Sequence, residues 1–284
     1  MSELQNGYWD NGYLLPHMWN KGERRMSQEN KKNLAIILVL VFLAGWFSFT
    51  YYIYTNQILI VPIEGEIVDF KATTTALHEG MVDKNVKAII LDLNTPGGYV
   101  DSCMEIAAYV ATVAKIKPVI AIMEDMCASG GYYIASFASY ILTHRNTITG
   151  SIGVIAVWVD MSQYYKNQGI NITIWLTGSE KDMGADWRVP TQKEYESINA
   201  SVNSIFQTLL VDIQKNRELS QNAIDEIKSG ATFSGEKAIE LGLADRIGDI
   251  VDAKEEAIKR TGIWKFIIVF PEMDEKNKFL RALF

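Results

Sequence analysis

Residues 34–54, LAIILVLVFLAGWFSFTYYIY, run for 21 residues without a charge. At 1.5 Å per residue, such a run in helical form is long enough to cross a hydrocarbon core of roughly 30 Å, where every backbone polar group must be satisfied within the segment. Trp46, Tyr51, Tyr52 and Tyr54 gather at its C-terminal end, as amphipathic aromatics do at a membrane interface. A cleaved signal peptide is the competing reading. Against it, the run exceeds the usual apolar core of a signal peptide, begins after 33 other residues, and is followed by no small-x-small cleavage site. The expectation is an anchor helix over 33–55, with 34–54 against membrane lipid. Lys21, Arg24, Arg25, Lys31 and Lys32 precede it and no Lys or Arg follows before Lys71, so the positive-inside bias puts the tail 1–32 in the cytoplasm and 56–284 beyond the membrane.

The tail mixes Asn, Gly, aromatic and charged residues without periodicity, and reads as a short cytoplasmic segment with little fixed structure. Its cluster Tyr8, Trp9, Tyr13 and Trp19 fits a docking element or a tail touching the membrane surface. After the anchor, short β-branched runs alternate with helical patterns, the mark of an α/β domain with crossover connections. Residues 58–63, 86–93, 119–123 and 172–175 read as strands. Residues 73–82 and 101–114 read as helices, the second with Met104, Ala108, Val110 and Val113 on its apolar side. A longer helix is expected over 191–217, opened by Pro190-Thr191 with Glu194 at capping-box spacing, packed on the sheet or on a neighbouring subunit. Residues 264–270 are strand-like and 272–283 fit a short amphipathic helix. No internal repeat or inter-domain linker interrupts 56–284, which reads as one domain.

A formal net charge of −7 with no basic stripe argues against nucleic-acid binding. The two cysteines, Cys103 and Cys127, have no metal-ligand spacing and read as buried thiols, though a domain outside the cytoplasm can oxidise such a pair. No metal and no other cofactor is expected.

Glycine-marked junctions carry the chemistry, because α/β domains build sites at the C-terminal edges of strands. Asn94-Thr95-Pro96-Gly97-Gly98 follows the strand KAIILDLN, and its glycines allow backbone amides to face a cleft, either as oxyanion donors or simply as a strand-to-helix turn. Ala128-Ser129-Gly130-Gly131 follows VIAIMEDM and opens a helix, so Ser129 is a nucleophile or a helix N-cap. The histidines offer no obvious base. His17 precedes the anchor, His78 lies in the first helix of the domain, and His144 lies next to the end of the run 140–143. Lysine also activates serine when burial or neighbours lower its pKa from about 10.4. Lys181, in Thr177-Gly178-Ser179-Glu180-Lys181-Asp182-Met183-Gly184, is the one lysine in a glycine-bracketed loop after an expected strand.

Taken in order, these motifs resemble the signal peptide peptidase A family of bacterial membrane serine peptidases, peptidase family S49, in its short single-repeat form. The resemblance runs from about Gln57 to Phe270. NTPGG is similar to the family's Asn-Ser-Pro-Gly-Gly oxyanion turn, ASGGYYIAS carries the nucleophile as Ser129, and GSEKDMG resembles the loop bearing the lysine, Lys181. TGSIGV holds Ser151, whose counterpart hydrogen-bonds that lysine. TFSGEKAIELGLADRIG matches the closing pattern in Gly235, Ala238, Gly242, Leu243, Asp245 and Gly248. Thr95 stands where the family has serine, and Ser139 where aspartate is common. The resemblance implies a Clp protease/crotonase-like α/β fold, an oxyanion hole from Gly97 or Gly98 with Gly130, and homo-oligomeric rings whose serine and lysine come from neighbouring subunits. It further implies cleavage of signal peptides and other hydrophobic peptides at the outer face of the bacterial cytoplasmic membrane. An inactive peptide-binding scaffold and a crotonase-like thioester enzyme are the rival readings; an external domain makes a coenzyme A substrate the weaker of the two.

Overall fold

The uncharged run lies inside one continuous helix, α1 (Gln28–Tyr54), in the computed structural model, which describes residues 27–271. Helical structure begins six residues before residue 34, so Gln28 to Lys32, read as part of an unstructured tail, are helical. The aromatic cluster of the tail and the helix expected over 272–283 lie outside the described residues. The chain divides into two compact units at Thr50/Tyr51. The first holds most of α1, whose side chains are almost all exposed and whose length and hydropathy suffice to cross a membrane.

In the second unit the expected alternation builds a sheet. Its first half is β1 (Gln57–Glu64), α2 (Lys71–Val82), β2 (Val86–Thr95), α3 (Val100–Ala114) and β3 (Val119–Ala128). Then come α4 (Gly130–Ala135), β4 (Tyr140–Thr143), β5 (Ile148–Gly150), α5 (Ser162–Asn167), α6 (Gln192–Arg217) and α7 (Gln221–Ile227). The chain closes with β6 (Thr232–Ser234), α8 (Gly235–Glu240), β7 (Arg246–Ile247), α9 (Ile250–Thr261) and β8 (Ile267–Val269). The strand order is β6-β5-β3-β2-β1-β8, with β4 pairing β3 and β7; all pairs are parallel except β5 with β6.

Strict alternation along the central strands gives the sheet two covered faces. Leu59, Val61, Ile89, Leu91, Ala121 and Met123 join one core with Ile106 and Val110 of α3, while Ile58, Ile60, Ala88, Ile90, Ile120 and Ile122 join a second with Ala253 and Ala257 of α9. Fully burying an Ile or Leu contributes roughly 1.5–3 kcal/mol, so these rows fix the register. On α3 the buried stripe runs through Cys103, Ile106, Ala107, Val110 and Val113; Ala108, expected on the apolar side, is exposed, because the helix is turned to place Ile106 and Ala107 on the sheet.

Residues 172–175 do not form a strand. They lie in a stretch without regular secondary structure or ladder partners, with Ile172, Ile174 and Trp175 exposed. The alternating apolar pattern is genuine, but among the described residues no neighbouring strand pairs with it. The flanking stretch 152–160 is the same kind of segment, with Ile155, Val157 and Val159 exposed.

Candidate active site

Three strand ends bring three of the motifs together. In the row β5-β3-β2, Thr95 pairs with Cys127 and Ala128 pairs with Gly150, so the chain leaves β2 into Pro96-Gly97-Gly98, β3 into Ser129-Gly130 and β5 into Ser151 at adjacent points of one sheet edge. Ser129 sits in a sharp strand-to-helix turn with φ 53° and ψ −121°, a conformation non-glycine residues avoid. Among the described residues only Ser129, Ser151 and Glu218 are non-glycines with positive φ, and the first two line the same cleft.

Main-chain bonds enforce this geometry. The Ser129 amide donates to Gly150 O at 2.8 Å, the Ser151 amide to Ala231 O at 2.8 Å, and the Tyr133 amide to Ser129 O at 3.0 Å. Behind Ser129, α4 is buried from Gly131 to Ala135, and the Tyr132 hydroxyl donates to Leu243 O at 3.0 Å, which ties the closing pattern to the base of the turn. Asp245 of that pattern accepts from the Ile141 amide at 2.6 Å and from the fork of Arg217, and a Cβ on Gly235 would lie 1.8 Å from His144 O. Ser129 occupies the N-cap position of α4, yet its side chain makes no capping hydrogen bond.

Glycine is required where the two turns meet. A Cβ on Gly97, at φ 100°, would fall 2.8 Å from Gly130 N and 2.9 Å from Ser129 Cβ; one on Gly98 would strike Ile67 O at 2.0 Å; one on Gly130 would strike Cys103 Sγ at 2.2 Å. The amides are not equivalent. Gly97 N donates to Thr95 Oγ1 at 3.1 Å, and that hydroxyl donates in turn to Gly65 O at 2.5 Å, so Thr95, which stands where the family has serine, holds this turn. Gly98 N shares none of these bonds, and Gly130 N, in the first turn of α4, lies where helical amides have no intrahelical acceptor. Ser139 accepts from the Val119 amide at 3.3 Å, a structural task away from the cleft. Both cysteines are free and buried, and burial pushes the Cys103 thiol up to about 11.

Ser129 and Ser151 open onto a cleft of about 530 Å³, walled by Pro96, Ile152 to Ile155 and, from α6, Val202, Asn203 and Phe206. Lys181 does not line it. It lies exposed in the loop of turns 177–184, its amide on Gly178 O at 3.1 Å. The lysine that does line the cleft, Lys228 at the end of α7, pairs with Asp225 at 3.1 Å; sequence reasoning missed it, since it carries no motif. His78 is exposed on α2 and His144 pairs with Glu124 at 2.9 Å, both off the cleft. Among the described residues no cluster of three or more His, Cys, Asp or Glu has metal-binding geometry.

The sequence model of Peptidase family S49 matches residues 111–263. Protease 4 of Haemophilus influenzae is 31% identical over 220 residues, covering 71% of this chain and 34% of that protein. A candidate signal peptide peptidase of Enterococcus faecium is 33% identical over 186 residues, covering 65% of this chain and 54% of its own length. The chain thus spans about half or less of these relatives. Among solved structures, a lysine-to-alanine variant of a membrane-bound stomatin-specific protease in complex with a substrate peptide aligns with a TM-score of 0.51 at 16% identity, over 80% of this chain and 97% of that one. The shared fold is the α/β architecture expected from the motifs.

Proposed function

This chain belongs to peptidase family S49, and on that premise we propose that it is a membrane-anchored serine endopeptidase with Ser129 as nucleophile and Lys181 as general base. The observation that carries this reading is the strained, uncapped Ser129 in a cleft beside the amides of Gly98 and Gly130. Strain of this kind costs of order 1–3 kcal/mol and persists where surrounding structure overrides it, often to expose a nucleophile on a sharp strand-to-helix turn.

In the proposed reaction Ser129 Oγ attacks the peptide carbonyl and its proton passes to Lys181 Nζ. The oxyanion is held by the Gly98 and Gly130 amides, worth about 2.7–4 kcal/mol per donor in comparable sites. Collapse expels the amine, which takes the proton from Lys181, and water activated by the same lysine then cleaves the acyl ester. Ser151 orients the lysine.

Because Lys181 stands outside its own Ser129 cleft, the lysine serving each serine is read as that of a second copy, which makes the enzyme a homo-oligomer. The exposed apolar stretches that include Ile155, Val157, Ile172 and Ile174 support this, since large uncovered apolar surface marks an association site. Peptides are the substrate class, as in the complex of the structural relative, with hydrophobic and remnant signal peptides favoured. With α1 read as the anchor, the charge bias of its flanks supports a domain that works at the outer face of a bacterial cytoplasmic membrane.

Lys228 is the specific alternative base, since it lines the cleft within one chain. Intact mass after incubation of the full chain with a fluorophosphonate separates the readings. Labelling is expected in the wild type and in Lys228→Met, but not in Ser129→Ala or Lys181→Met. A folded, oligomeric wild type that takes no label would leave a peptide-binding scaffold, and labelling of Lys181→Met would remove Lys181 from the chemistry.

A further inference from the structure

Lys181 is the exposed member of a loop that is otherwise tied down on both sides. Its own ammonium makes no ion pair or hydrogen bond among the described residues, whereas Glu180 before it pairs with Lys193, and Asp182 after it is gripped by Arg188. The grip is bidentate: Arg188 Nε and one terminal nitrogen donate to the two oxygens of Asp182, both at 2.8 Å. The other edge of the same guanidinium donates to the two oxygens of Glu194, at 2.7 and 2.8 Å.

Glu194 is itself part of α6. It closes the capping box, accepting from the Thr191 amide at 2.8 Å while the Thr191 hydroxyl receives the Glu194 amide at 3.3 Å. The carboxylates are nearly sealed, with side-chain exposures of 6% for Asp182 and 1% for Glu194. Arg188 also stacks 5.6 Å over Trp158, whose Nε1 donates to Arg188 O at 3.0 Å. Arg188 holds Glu194 down to about 2 and keeps Asp182 below its usual range, so both partners stay ionised. One guanidinium thereby joins the lysine loop, the start of α6 and the 152–160 stretch. No backbone ladder does so, since this region has no strand.

We propose that Arg188 is the positioning residue for Lys181: by bridging Asp182 and Glu194 it fixes the loop on the first turn of α6 and delivers the free ammonium in one orientation to the serine it serves. This rests on the Ser129–Lys181 reading given above. A planar fork with five donors suits two carboxylates at once, which a lysine at this position cannot do. Glu180 with Lys193 adds an exposed and weaker tie.

The test compares Arg188→Met, Arg188→Lys, Asp182→Asn and Lys181→Met in the full chain, scored for the amount of assembled enzyme, for the rate at which Ser129 takes a fluorophosphonate, and for kcat and KM on a hydrophobic fluorogenic peptide. Loss of positioning lowers kcat on the order of 10²-fold with KM and assembly unchanged, and Arg188→Lys recovers little of it. A merely structural role instead lowers the amount of folded, assembled enzyme and leaves kcat per assembled subunit at the wild-type value, which would overturn the proposal. So would an Arg188→Met enzyme with wild-type kcat beside an inactive Lys181→Met, an outcome that leaves the dyad standing. Activity in Lys181→Met removes the dyad and the clamp together. If Arg188→Met does not accumulate, Asp182→Asn carries the same reading alone, being isosteric and sparing the Arg188–Glu194 pair.

Discussion

Ser129 keeps φ at 53° although no hydrogen bond of its side chain requires it; the constraint comes from its amide on Gly150 O, the buried α4 and the closeness of Gly97. A residue held this way is a liability to stability unless its side chain is needed there. Glycine meets no steric penalty at positive φ, so Ser129→Gly should relieve most of a strain of about 1–3 kcal/mol, less roughly 0.5–1 kcal/mol for the extra freedom of the unfolded chain. Ser129→Ala retains the strain. The expected outcome is a glycine variant about 1 kcal/mol more stable than the alanine variant, hence a melting temperature a few degrees higher, with both inactive. Equal melting temperatures would show that Ser129 carries no stored strain. The glycine turns around Ser129 were legible in the sequence because glycine is the one residue whose presence reports a backbone demand directly. The use of the Gly97 amide by Thr95, which leaves Gly98 beside Gly130, was not, since it depends on a hydroxyl reaching across to Gly65.

Among the elements, α6 does two things at once: its first turn is bound to the lysine loop through Glu194, and its middle walls the serine cleft through Val202, Asn203 and Phe206. Arg188, with the Thr191 amide next, holds the Glu194 carboxyl down to about 2, against an ordinary value of 4.5. Since the unfolded chain takes up this proton first, the stabilisation is fully present above about pH 4.5 and is lost as pH falls towards 2. Thermal unfolding of the full chain should therefore drop in that window. Glu194→Gln should melt lower at pH 7 and lose less between pH 4.5 and 2; parallel curves would show that the clamp contributes nothing. The capping box of α6 was readable from Thr191 and Glu194 alone, as were β1, β2 and β3 from their β-branched runs. The strand expected at 172–175 was not found, because alternation reports that a face is to be covered without saying whether the cover belongs to the same chain. Arg188 escaped notice for a related reason: an arginine bridging two carboxylates, each six positions away, follows neither helical nor strand spacing.

At the scale of the whole molecule, the proposed dyad makes the separation of Lys181 from the Ser129 cleft and the exposed apolar stretches at 152–160 and 170–176 two signs of one incompleteness. A head-to-tail contact satisfies both, because it covers those stretches and presents each lysine loop to the next serine, and such contacts close into rings when the rotation per subunit allows. The arrangement predicts complementation between dead enzymes. On the proposed dyad, Ser129→Ala and Lys181→Met are each expected to be inactive as pure assemblies. When the two are co-expressed in equal amounts, a site is whole where a chain with intact Ser129 meets a neighbour with intact Lys181, so random mixing restores about a quarter of wild-type activity. Sites built within one chain restore none, since every chain lacks one partner. Recovered activity should follow the product of the two subunit fractions as the ratio is varied, peaking at equal amounts; activity that stays at zero across the series would place the serine's base in its own chain and return Lys228 to consideration.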